Sequence, residues 1–262
     1  MKRGISHLEL DILGFLPYKK NSQITVFIIM AIVVIVGIGT YLYINGNFTR
    51  ENLPLDVHPI YTFIESCLEE AGEDAVVEIG KNGGYASISK FSTNRGNAIY
   101  FINKNNIMPS KEEIEEQLSL YIENNVETCV KGVSQFYDFQ ISHDALDMNV
   151  EIEKDEVILF GSYPFQISEG EKSYDFKNFK INIPVRLGVI YSSIKMYMEK
   201  QMEAVQEVCV SCVYKLSLKS DLYFHLEDYD EKTVLFTITD EKSKIDGKEY
   251  VFIFANNYEV KQ

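Results

Sequence analysis

Tryptophan is missing altogether, and histidine and cysteine occur only four times each. The first absence removes the commonest platform for a cation–π contact, although seventeen tyrosines remain to build a binding face. Basic residues are scarce, 25 against 39 acidic ones, for a net charge of −14. That balance repels nucleic acid and anionic headgroups, so neither is expected as a partner of the acidic part. Six prolines and fifteen glycines are scattered, so no linker or low-complexity segment divides the long part after residue 56, and no internal repeat recurs at a fixed period. Gly-x-Ser-x-Gly, phosphate-loop, dinucleotide and His-Glu-x-x-His patterns are all missing. No catalytic constellation is left, so neither enzymatic activity nor a cofactor is expected.

What the chain does have is one long apolar run. From Thr25 to Ile44, twenty consecutive residues carry no charge. A helix of that length spans roughly 30 Å, the thickness of a bilayer core. A buried helix of a soluble domain would show a polar face, and this run has none. A signal peptide has an apolar region of roughly 7–15 residues ending in small residues. Here the run ends in Tyr41-Leu42-Tyr43-Ile44, and the tyrosines suit the headgroup belt. The expectation is an uncleaved transmembrane helix over 25–44. Lys2, Arg3, Lys19 and Lys20 precede it and only Arg50 follows closely, which puts the N-terminus in the cytoplasm. With Glu9 and Asp11 the leading part carries +2, which leaves −16 for the remainder. The expected organisation is a cytoplasmic segment 1–24, the span 25–44, a tether 45–56 and an extracytoplasmic domain 57–262. A division of that domain near 133–146 is also open. A sequon, Asn47-Phe48-Thr49, falls in the tether and reads as a chance occurrence.

Pro59 opens a helix whose stripe is Ile60, Phe63, Ile64, Cys67, Leu68, Ala71, Ala75 and Ile79, stopped by Asn82-Gly83-Gly84. A second begins at Ser110 with Glu113 as its reciprocal cap, carries Ile114, Leu118, Tyr121, Ile122, Val126, Cys129 and Val130, and closes at Gly132. Short β-like runs, Tyr85 to Ser89 and Ala98 to Ile102, lie between. Met148, Val150 and Ile152 then alternate with polar residues, Lys154-Asp155 turns the chain, and Val157 to Tyr163 and Tyr174 to Ile183 extend a meander. A third helix is predicted over 185–209, followed by strands Leu222–Leu226, Val234–Ile238 and Tyr250–Phe254. The last two are joined by a loop containing Asp246-Gly247. Blocks of strands and helices predict an α+β domain, mainly antiparallel sheet packed with three helices.

All four cysteines follow the apolar run. Three pairings are open. Cys67 with Cys129, each on an apolar helix stripe, and Cys209 with Cys212 is the expected one, in an oxidising space. Cys209-Val210-Ser211-Cys212 also has the spacing of redox and zinc sites. A redox pair needs a helix N-terminus beside its first thiolate. Placed at the end of the predicted helix 185–209, the motif meets a dipole of the opposite sign, which disfavours redox use. Zinc needs two further ligands, and His58, His143 and His225 are not at paired spacing. His225 alternates with Leu222, Phe224 and Leu226 in a strand and is expected on the solvated face. His58 is expected just before the first domain helix. Glu227, Asp228, Asp230, Glu231, Asp240, Glu241 and Asp246 lack the spacing of a calcium loop and read as a solvated edge. No metal is expected.

Phe63-Ile64-Glu65-Ser66-Cys67-Leu68 followed by Gly83-Gly84-Tyr85 resembles a family of uncharacterised single-pass membrane proteins of small-genome archaea. The resemblance continues through Pro109 to Glu115 and Cys129, and returns at Ile238-Thr239-Asp240 and Tyr250 to Ala255. It implies an archaeal envelope location and no particular activity. Cys67 and Cys129 both fall on its pattern, which favours their pairing. Lys19 to Thr25 is similar to the archaeal pilin-type leader, in which a Gln becomes the mature N-terminus. Phe27 stands where that pattern has Glu, and Ser22 where it has Gly or Ala before Gln23. The functional expectation is a membrane-anchored cell-surface interaction or structural protein, held by the lipid bilayer through 25–44, with an unidentified protein or a second copy as partner. The alternatives are a pilin-like filament subunit and an extracytoplasmic metal or redox module built on Cys209, Cys212 and His225.

Overall fold

Ile28 to Val36 are apolar without interruption, and in the computed structural model residues 28–37 form a helix, α1. The structure describes residues 28–37, 57–136, 138–203 and 205–258. The chain divides into two compact units, 1–49 and 50–262. In the first, α1 is about 15 Å long. Among the described residues no helix is long and apolar enough to cross a membrane. The flanks of the expected span, Tyr41 and Tyr43, the leader around Gln23 and the sequon at Asn47 lie outside the described residues. The large side chains of α1 from Ile28 to Val36 are 54–68% exposed on every side of the helix.

The second unit is α+β. Helix α2, His58–Lys81, buries the stripe that the sequence predicts, from Ile60 through Cys67 to Ile79, with Phe63 half-buried. Helix α3, Lys111–Val130, starts at Ser110, whose hydroxyl accepts the Glu113 amide while the Glu113 carboxylate accepts the Ser110 amide. A short 3-10 helix, Lys131–Gln135, follows. Strands β1 (Ile99–Ile102), β2 (Asn105–Asn106), β7 (Tyr223–Asp228), β8 (Thr233–Ile245) and β9 (Lys248–Asn257) make one sheet in the order β2-β1-β9-β8-β7. Strands β3 (Gln140–His143), β4 (Asp147–Ile152), β5 (Val157–Glu169) and β6 (Lys172–Ile183) make the other. There β5 pairs β6 along one edge and shares its other edge between β4 and β3, all antiparallel. The β8–β9 hairpin turns through Asp246 and Gly247, both at positive φ, which matches the right-handed twist of its strands.

Helix α2 contacts both sheets, touching β9 of the first and β6 of the second. Two glycines permit this approach. A Cβ on Gly72 would lie 2.5 Å from Leu159 Cδ1, and one on Gly80 would lie 2.5 Å from the Val251 carbonyl oxygen. Aromatic rings fill the space on each side. Tyr61 stacks on Phe179 at 5.2 Å, while Tyr100, Phe254 and Phe236 form a stack with successive centroids 4.8 Å apart.

Three expectations need correction. Tyr85 to Ser89 is not a strand; it is an irregular segment whose Ala86 amide donates to Gln117 Oε1 on α3. The helix predicted over 185–209 stops at Gln201: α4 is Leu187–Gln201, and a second helix, α5, runs Val210–Ser220. Among the described residues the unit therefore has four α-helices rather than three. Strand pairing among the described residues is mainly antiparallel, as expected, with one parallel pair, β1 with β9. His58 is the first residue of α2 rather than a residue before it.

Candidate functional site

The break between α4 and α5 relocates the Cys209-Cys212 motif. Gln201 ends α4 with its side chain fully buried. Its Oε1 accepts the Tyr197 hydroxyl at 2.6 Å, the Tyr258 hydroxyl at 3.1 Å and the Cys209 amide at 3.3 Å, and its Nε2 donates to the Glu207 carbonyl at 2.9 Å. One buried amide thus ties the connecting turn to the end of the core. Burial pushes the Tyr197 hydroxyl well above the ordinary tyrosine range and raises that of Tyr258, so both stay protonated as donors to that amide. The chain leaves this anchor at Cys209, which is the N-cap of α5. Its carbonyl accepts the Cys212 and Val213 amides at 3.0 and 3.2 Å, the first bonds of the new helix.

The motif therefore stands at a helix start, where the expected position was a helix end. The positive end of the dipole lies at Cys209, and the objection to thiolate chemistry is removed. Both residues are half-buried, and their sulfurs are joined in a disulfide. The Ser211 hydroxyl lies 3.8 Å from Cys209 Sγ. From the same turn an apolar stripe runs outward: Val210, Tyr214 and Leu218, four residues apart, are 65, 65 and 68% exposed, and Tyr223 on β7 is 62% exposed. Val213 and Leu216, on the other side of α5, are buried.

The second disulfide is of another kind. Cys67, 1% exposed on α2, bonds Cys129 on α3, across 62 residues of sequence. It joins two helices that already pack together.

Zinc held by Cys209, Cys212 and His225 meets two obstacles. The two sulfurs are bonded to each other, and His225 lies exposed on β7 opposite Thr237. Among the described residues no three His, Cys, Asp or Glu side chains converge as a metal site. Asp230, in the acidic cluster, is used by the fold: its carboxylate accepts the Lys232 and Thr233 amides, each at 2.8 Å, and these bonds lower its pKa. Asp240 is buried in an ion pair with Arg186. His143 is exposed at the edge of the second sheet, against the Tyr163 ring at 5.2 Å.

Two clefts open on the surface of the α+β unit. One, of about 550 Å³, is lined by His143, Asp144, Phe165, Asp175 and Lys177, and opens widely to solvent. The other, about 570 Å³, lies between the β4–β5 turn and the start of α4, with Lys111, Lys154, Arg186, Lys219 and Lys242 around it. Four of those cations pair with Glu115, Asp155, Asp240 and Asp221 respectively. Lys219 lies 3.9 Å from the Met196 sulfur. Such internally compensated charge gives little pull on an anion. The start of α5 remains the most distinctive chemistry on the surface.

No family model, no curated protein and no solved structure matches this chain.

Proposed function

We propose that the chain is a membrane-anchored cell-surface interaction protein, with its N-terminus in the cytoplasm and the α+β unit outside. The observation that carries this reading is α1, whose apolar side chains are more than half exposed all round. An apolar surface on every side of a helix requires an apolar surrounding, and lipid supplies one. The flanking charge sets the orientation. Two disulfides suit an oxidising compartment outside the cytoplasm. The net negative charge keeps the unit away from anionic headgroups, so a partner is met in solution or on another surface. The archaeal resemblance points to the same envelope location.

Protease applied to intact cells should digest the α+β unit and leave a membrane-held fragment that contains residues 1–44. Protection of the unit until lysis would invert the topology. Intact-mass measurement of the extracted chain separates the anchor from a filament subunit. Retention of the first 22 residues is expected; their removal before Gln23 would replace the anchor with pilin-type assembly, for which α1 would supply the packed stem.

A further inference from the structure

We infer that Cys209 and Cys212 form an exchangeable disulfide that accepts electrons from the cysteine thiols of another polypeptide. This goes beyond surface attachment and stands on independent observations at the α5 start. First, Cys209 is the N-cap of an eleven-residue helix. A thiolate there faces the orphan amides of the first turn and the positive end of the dipole, both of which stabilise negative charge on sulfur. Second, the Ser211 hydroxyl is 3.8 Å from Cys209 Sγ and is free to rotate toward a developing thiolate. Third, the loop that presents the pair is held from below by the buried Gln201. Opening the disulfide therefore leaves the backbone of Cys209 where it was. Cys67–Cys129 has none of these features: it lies within two packed helices, and Cys67 is 1% exposed.

The exposed stripe identifies the chemical class of the co-reactant. Val210 sits between the two cysteines, and Tyr214 and Leu218 continue outward from it. The stripe begins at the residue after Cys209 and continues for two further turns of α5, so a polypeptide docked at the pair covers it. A polypeptide with apolar side chains beside its cysteines gains contact there, whereas a small hydrophilic thiol does not.

The exchange balances without any other group. One thiolate of the partner attacks Cys209 Sγ; the Cys209–Cys212 bond breaks, and its electron pair leaves on Cys212 Sγ, which takes up a proton. A mixed disulfide now joins Cys209 to the partner. The partner's second thiolate attacks its own sulfur in that bond and expels the Cys209 thiolate, held by the helix start. Two electrons have moved from the dithiol to the cystine; of the dithiol's two protons one is balanced by that taken up at Cys212 and the other stays in solvent while Cys209 remains a thiolate, and the partner leaves with a new disulfide.

The test uses the full-length chain. Titration with reduced glutathione, followed by alkylation and peptide mass analysis, should open Cys209–Cys212 at least ten times faster than Cys67–Cys129. Opening of the two at equal rates, or of Cys67–Cys129 first, overturns the inference. Cys212→Ser and Cys209→Ser each leave one thiol of the pair, and the intact Cys67–Cys129 bridge serves as the folding control in both. With oxidised glutathione, Cys212→Ser should form a mixed disulfide at least tenfold faster than Cys209→Ser. Equal rates mean that the helix start does nothing for Cys209, and the pair is then a structural staple only. A synthetic peptide with two cysteines flanked by leucines should reduce the wild-type pair faster than the same peptide with serines in place of the leucines. Val210→Ser/Leu218→Ser should remove that advantage, and an unchanged ratio would exclude the stripe from partner contact.

Discussion

Replacing Arg186 with methionine tests the energetics of the interior most directly. Asp240 is fully buried, and its carboxylate accepts the Arg186 Nε at 3.0 Å, the Arg186 Nη2, the Ser243 hydroxyl and the Lys242 amide at 3.2 Å. Burial alone would raise the Asp240 carboxyl. The bonds from Arg186, Ser243 and the Lys242 amide outweigh it and hold the group below the ordinary carboxylate range. Arg186→Met keeps much of the side-chain length and removes the counter-charge. Breaking a buried pair on one side costs about 3–5 kcal/mol, because a charge is left uncompensated. For a domain of this size that is a loss of roughly 6–20 °C in Tm. Urea denaturation at neutral pH should show the deficit as a lower midpoint.

The sign with pH follows from linkage. A depressed folded-state pKa gives stability that is complete above the unfolded value, about 3.9, and is lost as pH falls through the folded one. The wild-type chain should therefore lose its advantage over Arg186→Met in acid, where Asp240 protonates. Arg186→Met/Asp240→Leu should recover at least half of the deficit, since removing both charges is far less costly than stranding one. A single-variant loss under about 1 kcal/mol, or a double variant no better than the single, would refute the reasoning.

Other perturbations follow from the same structure. Cys67→Ser/Cys129→Ser should destabilise by about 4 kcal/mol on the chain-entropy account of a loop of this length, measured by urea midpoint without reductant. Ser110→Ala removes the α3 cap and should cost about 1 kcal/mol, while Ser110→Asp should cost much less, in the same assay.

Some elements were legible because local chemistry and tertiary packing agree. Ile60, Ile64, Leu68 and Ile79 recur at helical spacing and are buried without exception. Ser110 and Glu113 announce the start of α3 and form both bonds there. Asp246-Gly247 supplies the two positive φ values that a tight hairpin needs. Elsewhere the spacing misled. Val205 and Cys209 continue the period of α4, so the sequence reads as one helix. Gln201 ends it, by turning a buried amide onto the backbone at Cys209 and Glu207. That single stop moved the cysteine motif from a helix end to a helix start and reversed the electrostatic judgement on it. Tyr85 to Ser89 has strand-like composition but finds no strand partner, and its Ala86 amide is satisfied by Gln117 instead. The β1–β9 pairing joins residues near 100 and 255, and nothing local in either segment specifies parallel pairing.

That pairing also bears on when the protein can fold. The last strand, β9, sits in the middle of its sheet, flanked by β1 and β8. Until the ribosome has delivered residue 257, β1 has no neighbour but the two-residue β2, and α2 lacks one of its floors. The first sheet therefore cannot close on α2 until residue 257 has been made, whereas α3 and strands β3 to β6 are complete by residue 183 and can pack on that helix earlier.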